Sequence, residues 1–238
     1  MLNPTISNKK QAKFLQHLTP FEWVVVCFVL FLTTIGIAGS HLNLDWFENV
    51  FAVEDGFVEN MTLLPLAIAV LTGINYLGKF HGTRSKLFYF TISTSVIFCT
   101  FVIGEEISWG QRIFQIESSD YFLQNNAQKE LNVHNLIVGG KKVNKIIFSQ
   151  LMTLAVAFYL LIVPAFYARK DSWRIFLNRA GVPVPRVYQT ITCLLLFLSI
   201  SLIQSGKRAE ILEVGITHIF MLIFLFPENI QIFRKQKV

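Results

Sequence analysis

The chain has 238 residues, of which 53% are hydrophobic, 14% aromatic and 15% charged, with a formal net charge of +6. An average soluble domain is about 45–50% apolar and about 25% charged, so this composition excludes a disordered chain, a collagen-like fibre and an ordinary cytosolic enzyme. Three cysteines are too few for a disulfide framework, and no HExxH, Walker A, GxGxxG or CxxC run is present.

A spanning helix needs about 20 mostly apolar residues. The first stretch of that kind is Trp23–Gly39. Ala38-Gly39-Ser40 resembles a signal-cleavage position, but the polar lead-in and the later spans predict an uncleaved anchor. A long loop, 40–60, follows, with Leu42, Leu44, Trp46, Phe47, Val50 and Phe51 spaced for a membrane-surface helix. Span two is Met61–Leu77 and span three Leu87–Gly104, joined by a short basic connection. The second long loop, 105–145, carries Trp109, Ile113, Phe114, Tyr121 and Phe122 as further interfacial aromatics. Span four is Ile146–Ala168. The connection 169–186 sets Trp173, Ile175, Phe176 and Leu177 among Arg174 and Arg179 and reads as an interfacial helix, ended by Gly181-Val-Pro-Val-Pro185. Span five is Val187–Gln204; span six, Ile211–Phe226, is short and has to extend beyond one of its ends to cross. Strand periodicity is absent from all six.

The expected fold is therefore all-α: one integral membrane domain over 1–238, a polytopic bundle of about six spans, with interfacial helices in the outer loops. Cys27, Cys99 and Cys193 fall inside spans and read as packed free thiols. With the N-terminus inside, fourteen of the 21 basic residues fall on inner segments, among them Lys9, Lys10, Lys13, Lys79, Arg84, Lys86, Arg169, Lys170, Arg174, Arg179, Arg186 and Lys237. Twelve of the 15 acids fall on outer ones. The positive-inside rule then gives N-in and C-in, and the net charge reads as contact with anionic inner-leaflet lipid, with no nucleic-acid partner.

Four polar clusters fall on the outer side: Glu54-Asp55-Gly-Phe-Val-Glu59-Asn60, Gly104-Glu105-Glu106-Ile-Ser108-Trp109-Gly-Gln111-Arg112, Gln128-Lys-Glu130-Leu-Asn132-Val-His134-Asn135, and Lys207-Arg208-Ala-Glu210-Ile-Leu-Glu213 with His218. Asp55, Glu59, Glu210 and Glu213 suit helix N-termini, where the macrodipole favours acids. Glu105 and Glu106 end an apolar span at its C-terminal end, where the dipole opposes negative charge, and such a conflict marks a functional position. If the helix continues, Glu105, Ser108 and Arg112 share a face and Arg112 neutralises Glu105. Glu105, Glu106 and Arg112 are the expected catalytic residues, and Trp109, Gln111 and Asn135 the expected substrate contacts. His17 and His81 fall inside and His41 in an outer loop. His134 and His218 sit with the acids, and His218 lies about two turns inside span six, where an ionisable side chain is costly. Two imidazoles with a carboxylate suit a divalent metal, zinc first, so Glu59, His134 and His218 are the expected ligands, with a bound water as nucleophile. Asn60-Met-Thr62 is a formal glycosylation sequon, expected to be unmodified so close to span two.

The Gly104–Arg112 run, with Glu54-Asp-Gly before it and Asn132-Val-His-Asn135 after it, resembles a pattern in uncharacterised multispanning bacterial membrane proteins. The resemblance implies a helical bundle in a bacterial inner membrane and brings no activity. There is also a similarity of style to alkaline ceramidase-like membrane hydrolases, which use an acid, a serine and several histidines at a membrane-embedded zinc. This chain departs from them in having six apparent spans instead of seven, no early Ser-x-x-x-His run, and only His218 where they have paired histidines.

Three functions stay open at this point. One is a metal-assisted hydrolase or transferase acting on a lipid or lipid-linked substrate at the outer interface, with Arg112 on an anionic headgroup. A second is a transporter or facilitator, for which the spans offer little beyond His218, Asn75 and Gln204. The third is a non-catalytic scaffold whose acidic outer face binds a basic partner or a cation such as Ca²⁺.

Overall fold

The computed structural model describes residues 18–54, 56–142 and 152–235. Lys9, Lys10, Lys13, His17, Asp55, Lys145, Lys237 and the first residues of expected span four lie outside the described residues. The chain is mostly helical. It divides into two compact units, the first made of 1–62 and 186–223, the second of 63–185 and 224–238.

Among the described residues three helices are long and apolar enough to cross a membrane: Pro20–Leu42, Phe57–Lys79 and Lys86–Glu106. Each contains an expected span and extends beyond it at both ends. Leu154–Arg169 and Val187–Ile200 are shorter apolar helices. Expected span five ends at Ile200, where residues 201 and 202 turn and Ile203 N–H bonds to Ile200 O. The last long helix is Arg208–Leu225, so expected span six extends at its N-terminal end and stops short of Pro227, which has no N–H to continue a helix.

In the first unit, Pro20–Leu42 begins with a capping box. The Glu22 N–H donates to Thr19 Oγ1 at 3.2 Å, and Thr19 N–H donates to the Glu22 carboxylate at 2.8 Å. Pro20 supplies a preset first turn without wasting an N–H. Gly36 lets this helix meet Phe47, Ile203 and Ile211 closely, since an added Cβ would stand 3.2 Å from Ile203. Residues 44–51 form a turn at Leu44–Trp46 running into a wide π turn at Phe47–Phe51. Phe47 points inward and is fully buried, while Leu42 and Val50 stand exposed.

In the second unit, the Leu63–Lys79 and Lys86–Glu106 helices pack together, with Tyr76, Phe80, Phe88, Ile92 and Phe233 forming the core at one end. Ser85 starts the second of these helices: its Oγ accepts the Phe88 N–H at 3.1 Å and donates to Arg179 O at 2.6 Å. Leu71, Phe90 and Ile97 remain exposed on the two helices, which suits helices solvated by lipid. A two-residue hairpin absent from the sequence reading pairs Ile137–Val138 with Lys141–Lys142 around Gly139-Gly140, both glycines at positive φ.

Candidate functional site

The second and third polar clusters meet in the second unit, and the meeting is organised by Glu105. The Lys86–Glu106 helix does not continue to Arg112, because Ser108, Trp109 and Gly110 all take left-handed backbone angles, with φ of 47°, 54° and 78°. The i, i+3, i+7 face expected for Glu105, Ser108 and Arg112 therefore does not form. Left-handed serine and tryptophan each cost about 1–3 kcal/mol and persist only where surrounding contacts hold them.

Those contacts are visible. The left-handed turn folds Trp109 back across the end of its own helix, over Gly104, where an added Cβ would stand 2.9 Å from the indole. The Trp109 Nε1–H then donates to Glu105 Oε1 at 2.9 Å. Glu105 Oε2 accepts two backbone N–H groups from the other cluster, Val133 at 2.6 Å and His134 at 3.0 Å. Amide donors stabilise a buried carboxylate without a cation, and Glu105 is only 3% exposed.

A second layer holds the same two segments together. Ser108 Oγ, fully buried, donates to Glu130 at 2.5 Å and accepts from Asn132 Nδ2 at 3.0 Å. Asn126, also buried, donates to the Asn132 carbonyl and side-chain oxygens at 2.8 and 2.9 Å. Its own Oδ1 accepts the Gln128 and Glu130 N–H groups, an Asx-turn arrangement. Gln111 staples the loop: Oε1 accepts Leu131 N–H at 2.7 Å and Nε2 donates to Ser118 Oγ at 2.7 Å. Arg112 faces Glu130 at 3.7 Å instead of Glu105, a consequence of the helix ending at Glu106.

Besides Arg112 and Glu130, this clasp presents His134. Its side chain is 24% exposed, and Nδ1 lies 3.7 Å from Glu105 Oε2. Nε2 lies 3.0 Å from Asn135 Nδ2, which also donates to Gln128 Oε1. An amide nitrogen can only donate, so Nε2 is the accepting nitrogen and Nδ1–H points toward Glu105. A carboxylate behind an imidazole fixes its tautomer and stabilises the protonated ring, as a general base requires. In the same loop Trp109 and Val133, both hydrogen-bonded to Glu105, are exposed, as are Ile113, Phe114, Tyr121 and Val138.

The sequence-expected residues thus separate. Glu105, Trp109, Gln111, Arg112, His134 and Asn135 belong to one network in the second unit. Glu106 is the half-buried last residue of its helix. Glu59 and His218 belong to the first unit. Glu59 sits in the first turn of Phe57–Asn60, as the macrodipole favours. His218 is buried, its Nδ1 lies 2.8 Å from Val214 O, and its ring packs on Phe28 at 5.1 Å, the contacts of a core histidine. Among the described residues no group of three or more His, Cys, Asp or Glu side chains gathers as metal ligands would, so the expected set of Glu59, His134 and His218 is not assembled there. Of the fourth cluster, Lys207 donates to Glu48 O at 3.0 Å, beside Ser205 on the Glu48 carboxylate at 2.7 Å.

The sequence reading gave no role to Ser108, Asn126, Glu130 or Asn132. Asn126 carried the one local signal, an Asn two residues before a Gln in a polar turn. It also missed a second buried acid, Glu22, which in the first unit accepts from Arg186 at 3.1 Å and Tyr188 at 2.6 Å. Comparison with protein-family models, curated proteins and solved structures returns no match.

Proposed function

We propose that this is an integral membrane protein whose activity resides in the module clasped by Glu105, where His134 acts as general base on a lipid or lipid-linked substrate. Three helices able to span a membrane support the environment. The carrying observation is the His134–Glu105 pair, part-exposed at the imidazole and hydrogen-bonded at both carboxylate oxygens behind it, in a loop with exposed apolar side chains. Nε2 would take a proton from water or an acceptor hydroxyl as that oxygen attacks an ester carbonyl or phosphoryl centre, and return it to the leaving oxygen. Asn135 would swing from Nε2 to the substrate, and Arg112 and Trp109 would meet headgroup and chain. Glu105 is a positioning residue in this scheme. The reaction class is hydrolysis or group transfer. We extend the reading to six spans with both termini inside a bacterial inner membrane and the module outside, on the strength of the basic and acidic asymmetry.

The test compares membranes of cells expressing the native protein or His134→Ala by quantitative lipid analysis, then turnover of the altered lipid by purified protein in nanodiscs, with and without a chelator. Chelator-resistant turnover lost in His134→Ala supports the proposal. Chelator-sensitive turnover with near-stoichiometric zinc returns the mechanism to a divalent metal. Identical lipid profiles overturn catalysis and favour the second reading, a rigid non-catalytic cap, which the full occupancy of both Glu105 oxygens also suits.

A further inference from the structure

A separate part of the second unit carries a surface that the His134 reading does not use. The Asp171–Ala180 helix follows the apolar Leu154–Arg169 helix after a single extended residue, Lys170. Of its ten residues only Leu177 and Ala180 are buried. Ile175 is 67% exposed and Phe176 51%, and Trp173 is exposed beside them. Ile175 and Phe176 stand four and three residues before Arg179, so the helix brackets that cation with two exposed apolar side chains. Trp173 stacks on Phe166 with ring centroids 5.1 Å apart, and Lys170 Nζ lies 5.0 Å from the Phe166 centroid.

The segment is fixed in place. Gly181, at a φ of 70°, ends the helix, with Val182 N–H bonded back to Leu177 O at 3.1 Å. Asn229, fully buried, accepts Val184 N–H at 3.0 Å and donates to Val182 O at 2.9 Å and to Asn178 Oδ1 at 3.0 Å. Basic charge predominates: Arg169, Lys170, Arg174 and Arg179 are exposed, and the helix's one acid, Asp171, pairs with Arg174 at 2.5 Å.

We infer that the Asp171–Ala180 helix is a docking surface for anionic phospholipid. Ile175, Phe176 and Trp173 enter the leaflet at the boundary between headgroups and chains, and Arg169, Lys170 and Arg179 take headgroup phosphates. Three observations select a lipid surface over a protein partner. The segment carries four exposed cations against one acid, the excess that anionic lipid requires. Apolar and basic side chains alternate around the exposed arc, so the cations can reach past the aromatic edge to phosphate. The helix also continues directly from an apolar helix.

The test titrates the detergent-purified full chain with phosphatidylglycerol and with phosphatidylcholine, reading bound lipid by native mass spectrometry. The expected result is a preference of about tenfold or more for phosphatidylglycerol. It should collapse as NaCl rises from about 0.05 to about 0.5 M, which needs no variant. An Arg169→Gln/Lys170→Gln/Arg174→Gln/Arg179→Gln variant should lose the preference, whereas Lys129→Gln/Arg208→Gln should keep it. Equal retention of the two lipids by the native chain overturns the inference. So does an unchanged preference in the quadruple variant, or a stoichiometric protein partner released by Phe176→Ser.

Discussion

Glu22 in the first unit and Glu105 in the second are both removed from water, at 0% and 3% exposure, yet they are held differently. Glu22 lies in the first turn of its helix, where the macrodipole welcomes a negative charge, and it completes a capping box. It also meets a full cation, Arg186, and a phenol, Tyr188. Glu105 lies in the last turn of its helix, where the dipole opposes it. It has no arginine; amide and indole N–H groups and one imidazole stand in. A neutralised acid at a favourable end needs only a structural explanation. An acid at an unfavourable end, held by neutral dipoles and backed onto a part-exposed histidine, is the arrangement on which the proposed general-base role rests.

Removing each carboxylate tests that contrast. Glu22→Ala should be the most destabilising change, by about 3–5 kcal/mol, because it leaves the Arg186 guanidinium and the Tyr188 hydroxyl short of their partner. Thermal unfolding of the detergent-purified protein measures it. Glu105→Ala should cost about 2–3 kcal/mol, the penalty for buried N–H groups left without an acceptor. Its effect should be local: hydrogen exchange should quicken at the Val133 and His134 amides and through 107–138, while the Pro20–Leu42 helix stays protected. If Glu105→Ala unfolds the whole chain and Glu22→Ala does not, the two roles are reversed.

The difference also explains what could be read from the sequence. Hydropathy located the three helices that are long and apolar enough to cross a membrane, because apolar length is a local property. It placed the shorter Val187–Ile200 less well, since the turn after Ile200 has no proline or glycine to announce it. The dipole conflict drew attention to Glu105 and Glu106 alike, and it was silent on how Glu105 is held. That hold comes from Val133 and His134, nearly thirty residues away, and from a left-handed Trp109 that no propensity favours. Ser108, Glu130 and Asn132 were legible as polar residues near acids and not as one network, because a loop closure has no period. Glu22 and Arg186, far apart in the chain, carried only their individual charges in the sequence.

A weaker change sharpens the structural side. Thr19→Ala removes the cap hydroxyl and keeps the Glu22–Arg186 pair, so it should cost about 1 kcal/mol. The same unfolding measurement should rank it well below Glu22→Ala. Equal losses would mean that Glu22 acts through the cap alone and that its ion pair adds nothing.

The smallest expected effect on stability belongs to the residue expected to matter most for activity. His134→Ala keeps the backbone N–H that Glu105 binds, and it removes a part-exposed ring whose Nδ1 lies 3.7 Å from the carboxylate and whose Nε2 takes one hydrogen bond from Asn135. Its unfolding midpoint should stay close to that of the native protein, with a loss under about 0.5 kcal/mol, as for a surface substitution. Lipid turnover should nonetheless fall by about 100-fold or more, the usual contribution of a positioned general base. Glu105→Gln should fall between the two: it keeps one acceptor oxygen and the fold, and loses the negative charge that stabilises a protonated His134. A His134→Ala variant that unfolds like Glu105→Ala would instead make the imidazole part of the clasp. The contrast with Glu22 would then be one of construction only, because the second unit would be holding its acid for stability by a different set of donors.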